Sequence, residues 1–261
     1  MISKIKNSKQ LYLFFVTILT LSFLYSCKTS TYSNYKIEGK KIPITSEFKT
    51  NEAIDAFVSP YRNHINQDLD VILSYCPETL DKNKGEFQTN IGNFIADACV
   101  ELANPLFYKK ENKKINGAIF NNGGIRTVIP KGNVTKRTAF EVMPFENSLQ
   151  VIALKGTQIY ELANYFVKER KPHPLNGIHL YLDSNNNITK VTIENEIVNQ
   201  DKVYYILTSD YLANGGDNMT FFLKNEGKYD LEYKMRNVLI DYFTTHRSIE
   251  ANVNERVSKI K

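Results

Sequence analysis

Tryptophan and cysteine, which are prominent in some specialised protein classes, are absent or scarce in this 261-residue sequence. It has no tryptophan, and its three cysteines are too few for a disulfide-stapled scaffold. The 42% hydrophobic and 23% charged fractions are those of an ordinary globular chain, which excludes wholesale disorder, a collagen-like repeat and a polytopic membrane protein. The net charge of +5 is small and no clustered basic face is evident, so nothing indicates nucleic-acid binding.

Motifs of self-contained catalytic centres are also missing. There is no G-x-S-x-G nucleophile elbow and neither a G-x-x-x-x-G-K-S/T nor a G-x-G-x-x-G phosphate loop. The histidines have no cysteine or histidine neighbour at metal-ligand spacing; they are His64, His173, His179 and His246. The sequence therefore predicts neither a catalytic residue nor a metal site in this chain.

The first 27 residues have the layout of an export signal. Three lysines precede an apolar run over residues 11–25, and no acidic residue occurs before Glu38. The run is shorter than the roughly 20 residues of a transmembrane helix and fits the core of a signal peptide. It ends in L-Y-S-C, which resembles a bacterial lipoprotein signal with lipid attachment at Cys27. An uncleaved N-terminal anchor with an incidental cysteine is the alternative.

Cleavage before Cys27 would leave 235 residues with a net charge of +2, so most of the basic charge belongs to the targeting signal. We therefore expect a signal peptide over 1–26, a polar tether over 27–49 and one folded domain over 50–261. The expected location is the bacterial cell envelope, as a lipid-anchored membrane protein that faces the periplasm.

Hydrophobic periodicity predicts helices and strands that do not alternate strictly. Helices are expected at 50–67, 89–102, 157–168 and 231–243, and strands at 70–75, 115–120, 149–154, 178–182, 188–193 and 202–208. The second helix is expected to end before Pro105. This order favours an α+β fold over a doubly wound sheet.

Two Gly-Gly turns follow apolar strands and end in a charged residue, N-N-G-G-I-R at 121–126 and Y-L-A-N-G-G-D at 211–217. Paired glycines allow the backbone to approach a ligand closely. Arg126 offers a planar fork of donors for phosphate or carboxylate, and Asp217 can accept hydrogen bonds from two vicinal hydroxyls. Two purely structural turns with solvated charges are the alternative.

Five sequence blocks, taken in order, resemble the C-terminal domain of the 5′-nucleotidase family. They are TNIGNFIADA at 89–98, NNGGIR at 121–126, MPFEN at 143–147, LKG at 154–156 and DYLANGGD at 210–217. The likeness covers roughly residues 51–260. It implies a single α+β domain with a mixed sheet and flanking helices.

The resemblance also implies a substrate-binding site for a nucleotide or nucleoside. Arg126 would contact the phosphate or a neighbouring polar group, Asn121 the base, and Asp217 the ribose hydroxyls. Phe145 and Tyr211 would sandwich the base. Gly124 and Gly216 complete the expected binding residues, and no catalytic residue is expected among them.

The chain departs from the family in two respects. Residues 85–88 lack an arginine that some members carry there, and the metal-binding motifs of the N-terminal phosphoesterase domain are absent. We therefore expect no cofactor in this chain and no hydrolysis by it alone. The first hypothesis is a hydrolase component whose divalent metals reside in a separate metallophosphoesterase chain. A non-catalytic nucleoside- or nucleotide-binding lipoprotein is the alternative.

Overall fold

The computed structural model describes residues 2–24, 35–251 and 254–260, which fall into two compact units that divide between Glu52 and Ala53. The first unit contains helix α1, Ile2–Leu24. None of the helices within these ranges has both the length and the apolar character needed to cross a membrane. Cys27 and the expected cleavage point lie outside the described residues, so the signal peptide and the lipid attachment stay predictions.

The second unit combines helices with three small sheets. Its helices are α2 (Glu52–Leu69, whose first residue belongs to the first unit), α3 (Asn90–Glu111), α4 (Lys136–Val142), α5 (Gly156–Glu169), α6 (Asp210–Ala213) and α7 (Met235–Thr245). Its strands are β1 (Ile72–Cys76), β2 (Gly117–Ile119), β3 (Gly132–Thr135), β4 (Ser148–Lys155), β5 (Leu175–Asn176), β6 (Ile178–Leu182), β7 (Ile188–Ile193), β8 (Glu196–Ile197), β9 (Val203–Ser209), β10 (Gly227–Lys234) and β11 (Val257–Lys259).

The central sheet has five strands in the order β10-β4-β9-β2-β5. β2 and β9 are parallel, whereas the other neighbouring pairs are antiparallel. A second sheet has the order β11-β6-β7-β8, and β1 pairs with β3. The predicted α+β fold with mixed sheets is confirmed.

Strands β4 and β9 lie at the centre because both of their faces are apolar. On β4, Leu149 and Val151 belong to the core beneath α3 and α7, while Ile152 and Leu154 belong to the core beneath α5. Successive side chains of a strand point to opposite faces, so a strand with apolar residues on both faces can serve two cores.

Helix α3 begins as predicted but does not end as predicted. The Thr89 hydroxyl accepts a hydrogen bond from the Gly92 N–H at 3.1 Å and caps the helix. The expected end before Pro105 is wrong, because the helix continues to Glu111. Ala103 and Phe107, on either side of the proline, are fully buried, and their packing outweighs the one hydrogen bond that a proline cannot make.

The predicted helix over 231–243 is wrong at its start, because residues up to Lys234 belong to strand β10. Tyr229, Leu231 and Tyr233 alternate with exposed residues and pack against the core beneath α3 and α7. That spacing of two residues is the signature of a strand. The sequence also did not predict strands β3, β5, β8 and β11 or helices α4 and α6.

Helix α2 agrees with the prediction in its extent but buries none of its residues. The Arg137 guanidinium binds the C-terminal end of α2. It donates from Nε to Asp70 Oδ1 at 2.7 Å and from Nη2 to Asn66 Oδ1 at 2.9 Å. Phe57 and Tyr61, on its apolar face, remain 72% and 63% exposed. The helical periodicity therefore indicates the helix correctly but not the burial of its apolar face.

The C-terminal segment is attached to the domain through a buried arginine. Arg256, 4% exposed, donates from Nη2 to both carboxylate oxygens of Asp97 at 2.8 and 2.6 Å, and it also contacts the carbonyl of Leu175. These bonds connect the residue before β11 to α3 and to β5. They hold β11 in its parallel pairing with β6.

Candidate functional site

Both Gly-Gly turns leave the same edge of the central sheet. The first follows β2 and the second follows β9, and these two strands are parallel neighbours. The carboxyl ends of parallel neighbours meet at one edge, so the turns lie side by side. The segment at 143–147 reaches this edge as well, since Leu149 near the start of β4 pairs with Ser209 at the end of β9.

An open cavity of about 420 Å³ lies between these three segments. Its lining residues are Asn121, Gly123, Gly124, Arg126, Phe145, Asn147, Tyr211 and Asp217. Six of the seven predicted binding residues are therefore brought together at one place, although their roles toward a ligand stay predictions. The seventh, Gly216, is not among the lining residues.

Gly216 supports the cavity from behind Tyr211. A Cβ atom at this position would come within 2.6 Å of the Tyr211 ring, so only glycine leaves room for it. The preceding Gly215 has φ of +85°, in the left-handed region that glycine adopts without strain. The second Gly-Gly turn thus requires its glycines for the placement of an aromatic ring and for backbone geometry.

The first turn folds as a short 3-10 segment, Asn122–Gly124, held by hydrogen bonds within its own backbone. The Gly124 N–H donates to the Asn121 carbonyl at 3.1 Å, and a Cβ on Gly124 would come within 2.9 Å of the Asn121 side-chain oxygen. Arg126 donates from Nη1 to the Gly123 carbonyl at 3.3 Å, and its guanidinium lies 5.6 Å from the centroid of the Phe145 ring. Its remaining N–H donors are available to an anion in the cavity.

Asp217 joins the two turns through its carboxylate. Asn121 donates from Nδ2 to Oδ2 at 2.7 Å, and the Tyr211 hydroxyl donates to Oδ1 at 2.8 Å. The hydrogen bond to Asp217 raises the pKa of Tyr211 above its ordinary value, so the phenol remains a neutral donor. A carboxylate offers about four acceptor positions, so two remain for a ligand such as a vicinal diol.

Two aromatic side chains border the cavity. Phe145 and Tyr211 are each 46% exposed, so a large part of each ring is open to contact with a ligand. Exposed rings at the border of a cavity offer faces on which a planar heterocycle can stack.

Arg236 on α7 holds the Phe145 segment in place. Its Nε donates to the Met143 carbonyl at 3.0 Å, and its Nη2 donates to the carbonyls of Pro144 and Phe145 at 2.8 and 3.1 Å. Sequence reasoning missed this residue, since nothing local relates position 236 to position 145. It also missed Asn147, which lines the cavity and stands within the MPFEN block.

No three His, Cys, Asp or Glu side chains converge into a possible metal site within the part of the chain that the structure describes. The donor set around the cavity is suited to hydrogen bonding, stacking and contact with an anion. These are the chemical means of binding and orienting a ligand.

The chain is similar to known proteins of one family. The family model described as "5'-nucleotidase, C-terminal domain" matches residues 74–224. A 5′-nucleotidase from Vibrio parahaemolyticus is 25% identical over 224 residues, which are 82% of this chain and 38% of that protein. The trifunctional nucleotide phosphoesterase YfkN from Bacillus subtilis is 29% identical over 209 residues, which are 74% of this chain and 14% of that protein.

Solved structures show the same fold. The 5′-nucleotidase precursor from Thermus thermophilus has a TM-score of 0.65 and 23% identity, over 80% of this chain and 43% of that chain. The NAD nucleotidase from Haemophilus influenzae has a TM-score of 0.58 and 18% identity, over 81% and 42%. This chain spans less than half the length of each of these relatives. The resemblance drawn from the five sequence blocks is confirmed: the chain belongs to the 5′-nucleotidase C-terminal domain family.

Proposed function

We propose that this domain binds a nucleoside or nucleotide in the cavity between the two Gly-Gly turns. The observation that supports this most is the convergence of three kinds of contact in one cavity: exposed rings, a carboxylate with free acceptor positions and a guanidinium. Phe145 and Tyr211 offer faces to the base, Asp217 accepts from the ribose diol, and Arg126 donates to the phosphate. The cavity volume is within the range of small-molecule sites.

The contact between ribose and Asp217 can be tested by calorimetry with adenosine and 2′-deoxyadenosine. Asp217→Asn keeps the shape of the side chain but replaces one acceptor with a donor. We expect it to weaken adenosine binding by about 10- to 100-fold, because hydrogen bonds to charged groups contribute roughly 1.5–3 kcal/mol. 2′-Deoxyadenosine should bind the wild-type protein more weakly than adenosine and should lose less on substitution.

The exposed Asp201 provides the matched control, since Asp201→Asn makes the same chemical change away from the cavity. Equal adenosine affinity in wild type, Asp217→Asn and Asp201→Asn would reject the assigned role of Asp217. An absence of binding heat with both AMP and adenosine would reject the nucleoside site itself.

We further propose that the domain acts as the substrate-binding component of a 5′-nucleotidase-type phosphoric ester hydrolase in nucleotide catabolism. The divalent metals would reside in a separate metallophosphoesterase chain, because the side chains described in this one form no cluster that fits them. Two metals activate water and stabilise the leaving oxygen in such enzymes. This chain would hold and orient the nucleotide.

Reconstitution tests this division of labour. The metallophosphoesterase encoded nearest in the same genome is mixed with the purified protein, and phosphate release from AMP is measured. We expect release above that of the partner alone, and a smaller gain with Asp217→Asn. No gain with the wild-type protein would contradict the proposal while leaving nucleoside binding intact.

We also propose that lipid on Cys27 anchors the protein in the cell envelope, facing the periplasm. The support is the order of basic segment, short apolar run and cysteine in the sequence. Cells that express the wild type should incorporate labelled palmitate into the protein, and cells that express Cys27→Ser should not. Retention of label by the serine variant would exclude this site.

A further inference from the structure

A buried polar group lies beneath the cavity, on the loop between α5 and β5. His173 is 3% exposed and packs against two rings of α5, with centroid distances of 5.7 Å to Tyr165 and 5.9 Å to Phe166. It does not line the nucleoside cavity, and the proposed contacts to base, ribose and phosphate do not use it. A buried imidazole among aromatic rings therefore calls for a physical reason.

His173 is hydrogen-bonded to the first Gly-Gly turn. Its Nδ1 accepts from the Asn122 backbone N–H at 3.3 Å, and the neighbouring Pro172 carbonyl accepts from the Asn122 side chain at 3.3 Å. On the other side of Asn121, the Phe120 N–H donates to the Pro174 carbonyl at 2.9 Å. The loop thus holds the residues that flank Asn121 on both sides.

The second Gly-Gly turn is hydrogen-bonded to Tyr165, the ring that packs against His173. The Tyr165 hydroxyl donates to the backbone carbonyl of Asp217 at 2.8 Å. Tyr165 and His173 are in ring contact, while Asn121 and Asp217 are hydrogen-bonded to one another above them. These four residues form a closed arrangement. Tyr165 and His173 make hydrogen bonds to the backbones of the two turns, while Asn121 and Asp217 line the cavity.

The arrangement requires a neutral imidazole. Acceptance at Nδ1 puts the ring proton on Nε2, which is buried and makes no hydrogen bond of normal geometry among the described residues. Burial, together with the charge of Lys171, lowers the pKa of His173 to about 4. At neutral pH the acceptor on Nδ1 is therefore present.

We propose that His173, acting with Tyr165, is a positioning residue that fixes the separation of Asn121 and Asp217 and so prepares the site for the base and the ribose together. The part of this proposal that is tested by adenosine affinity rests on the proposed nucleoside binding. Its structural part, the acceptor bond to the Asn122 N–H, can be measured without any ligand.

Two substitutions separate the acceptor from the volume of the ring. His173→Asn keeps an oxygen near the position of Nδ1, whereas His173→Leu fills the space without an acceptor. We expect His173→Leu to weaken adenosine binding by roughly 3- to 10-fold, the effect of one neutral hydrogen bond, and His173→Asn to restore most of it. Equal affinity of the leucine variant and the wild type would overturn the positioning role.

The ligand-free protein gives an independent readout. The Asn122 amide should exchange with solvent faster in His173→Leu than in wild type or His173→Asn, and nitrogen-15 resonances should show an unprotonated Nδ1 in the wild type. A proton on Nδ1, or unchanged Asn122 exchange in the leucine variant, would overturn the inference even if adenosine binds. Should the leucine variant fail to fold, Tyr165→Phe removes only the hydroxyl and must still weaken adenosine binding.

If the wild type binds no adenosine, the proposed function fails, and the exchange and nitrogen-15 measurements still decide whether the acceptor bond exists. If the wild type binds adenosine and the two histidine variants match it, the positioning role alone fails.

Discussion

Tyr211 presents two chemically distinct parts to the cavity, a ring face and a hydroxyl bound to Asp217 at 2.8 Å. Tyr211→Phe removes only the hydroxyl, and the exposed Asp217 can then accept a hydrogen bond from water in its place. Adenosine affinity should therefore stay within about 3-fold of wild type. Tyr211→Ala removes the stacking face, which is worth about 1–3 kcal/mol per base, and affinity should fall by about 5- to 100-fold. Calorimetry distinguishes the two variants, and similar losses in both would contradict a stacking role.

Arg126 should discriminate between nucleotide and nucleoside. Its guanidinium lies beside the Phe145 ring, and a phosphate at that end of the cavity would receive charge-assisted hydrogen bonds. Arg126→Gln should weaken AMP binding by about 10- to 100-fold and leave adenosine binding nearly unchanged. Lys131→Gln, at an exposed position, is the matched control. Equal losses for AMP and adenosine would place the phosphate elsewhere.

At the scale of elements, α7 supports the site without touching the cavity. Arg236 donates to three consecutive carbonyls at 143–145. Arg236→Met keeps much of the side-chain volume but removes these bonds, so we expect a loss of about 1–3 kcal/mol in the free energy of unfolding. Adenosine affinity should also fall, because the Phe145 ring is no longer held. Urea denaturation and calorimetry measure the two effects, with Arg247→Met at an exposed position as control.

Helices α2 and α5 have similar apolar spacing but different surroundings. Phe166 on α5 is fully buried, whereas Phe57 on α2 is 72% exposed. Phe166→Ala should lower the free energy of unfolding by about 3–5 kcal/mol through the cavity that it leaves. Phe57→Ala should change it by no more than about 0.5 kcal/mol, as exposed positions do. A comparable loss in both variants, measured in urea, would mean that the apolar face of α2 is covered.

At the scale of the whole molecule, His173 should make stability depend on pH. Its pKa falls from 6.5 to about 4 on folding, so the unfolded chain binds more protons between these values. The free energy of unfolding should therefore decrease by about 3 kcal/mol as the pH is lowered from about 6.5 to about 4, and should not change through this group above that range. The wild-type decrease should exceed that of His173→Leu when both are unfolded in urea across this range. Parallel decreases would show that the imidazole is not buried neutral.

The local pattern of apolar and polar residues was sufficient to predict many helices and strands. The strands expected at 178–182 and 188–193 are β6 and β7 with the same bounds, and α3 begins within one residue of the predicted start, with Thr89 as its cap. Each depends on residues a few positions apart, so the signal lies within a short stretch of sequence. The continuation of α3 past Pro105 and the strand β10 depend instead on packing against remote segments, which local preference does not contain.

Five ordered blocks of sequence are sufficient to identify the family and, through it, the residues to examine for binding. How those residues meet depends on the tertiary structure. Asn121 and Asp217 are 96 positions apart, and they are joined because β2 and β9 pair in parallel and release both turns at one edge. The sequence likewise did not predict that His173, Tyr165 and Arg236 hold the segments of the site in place. Their hydrogen bonds are to backbone groups far along the chain, and a backbone group carries no signal in the order of amino acids.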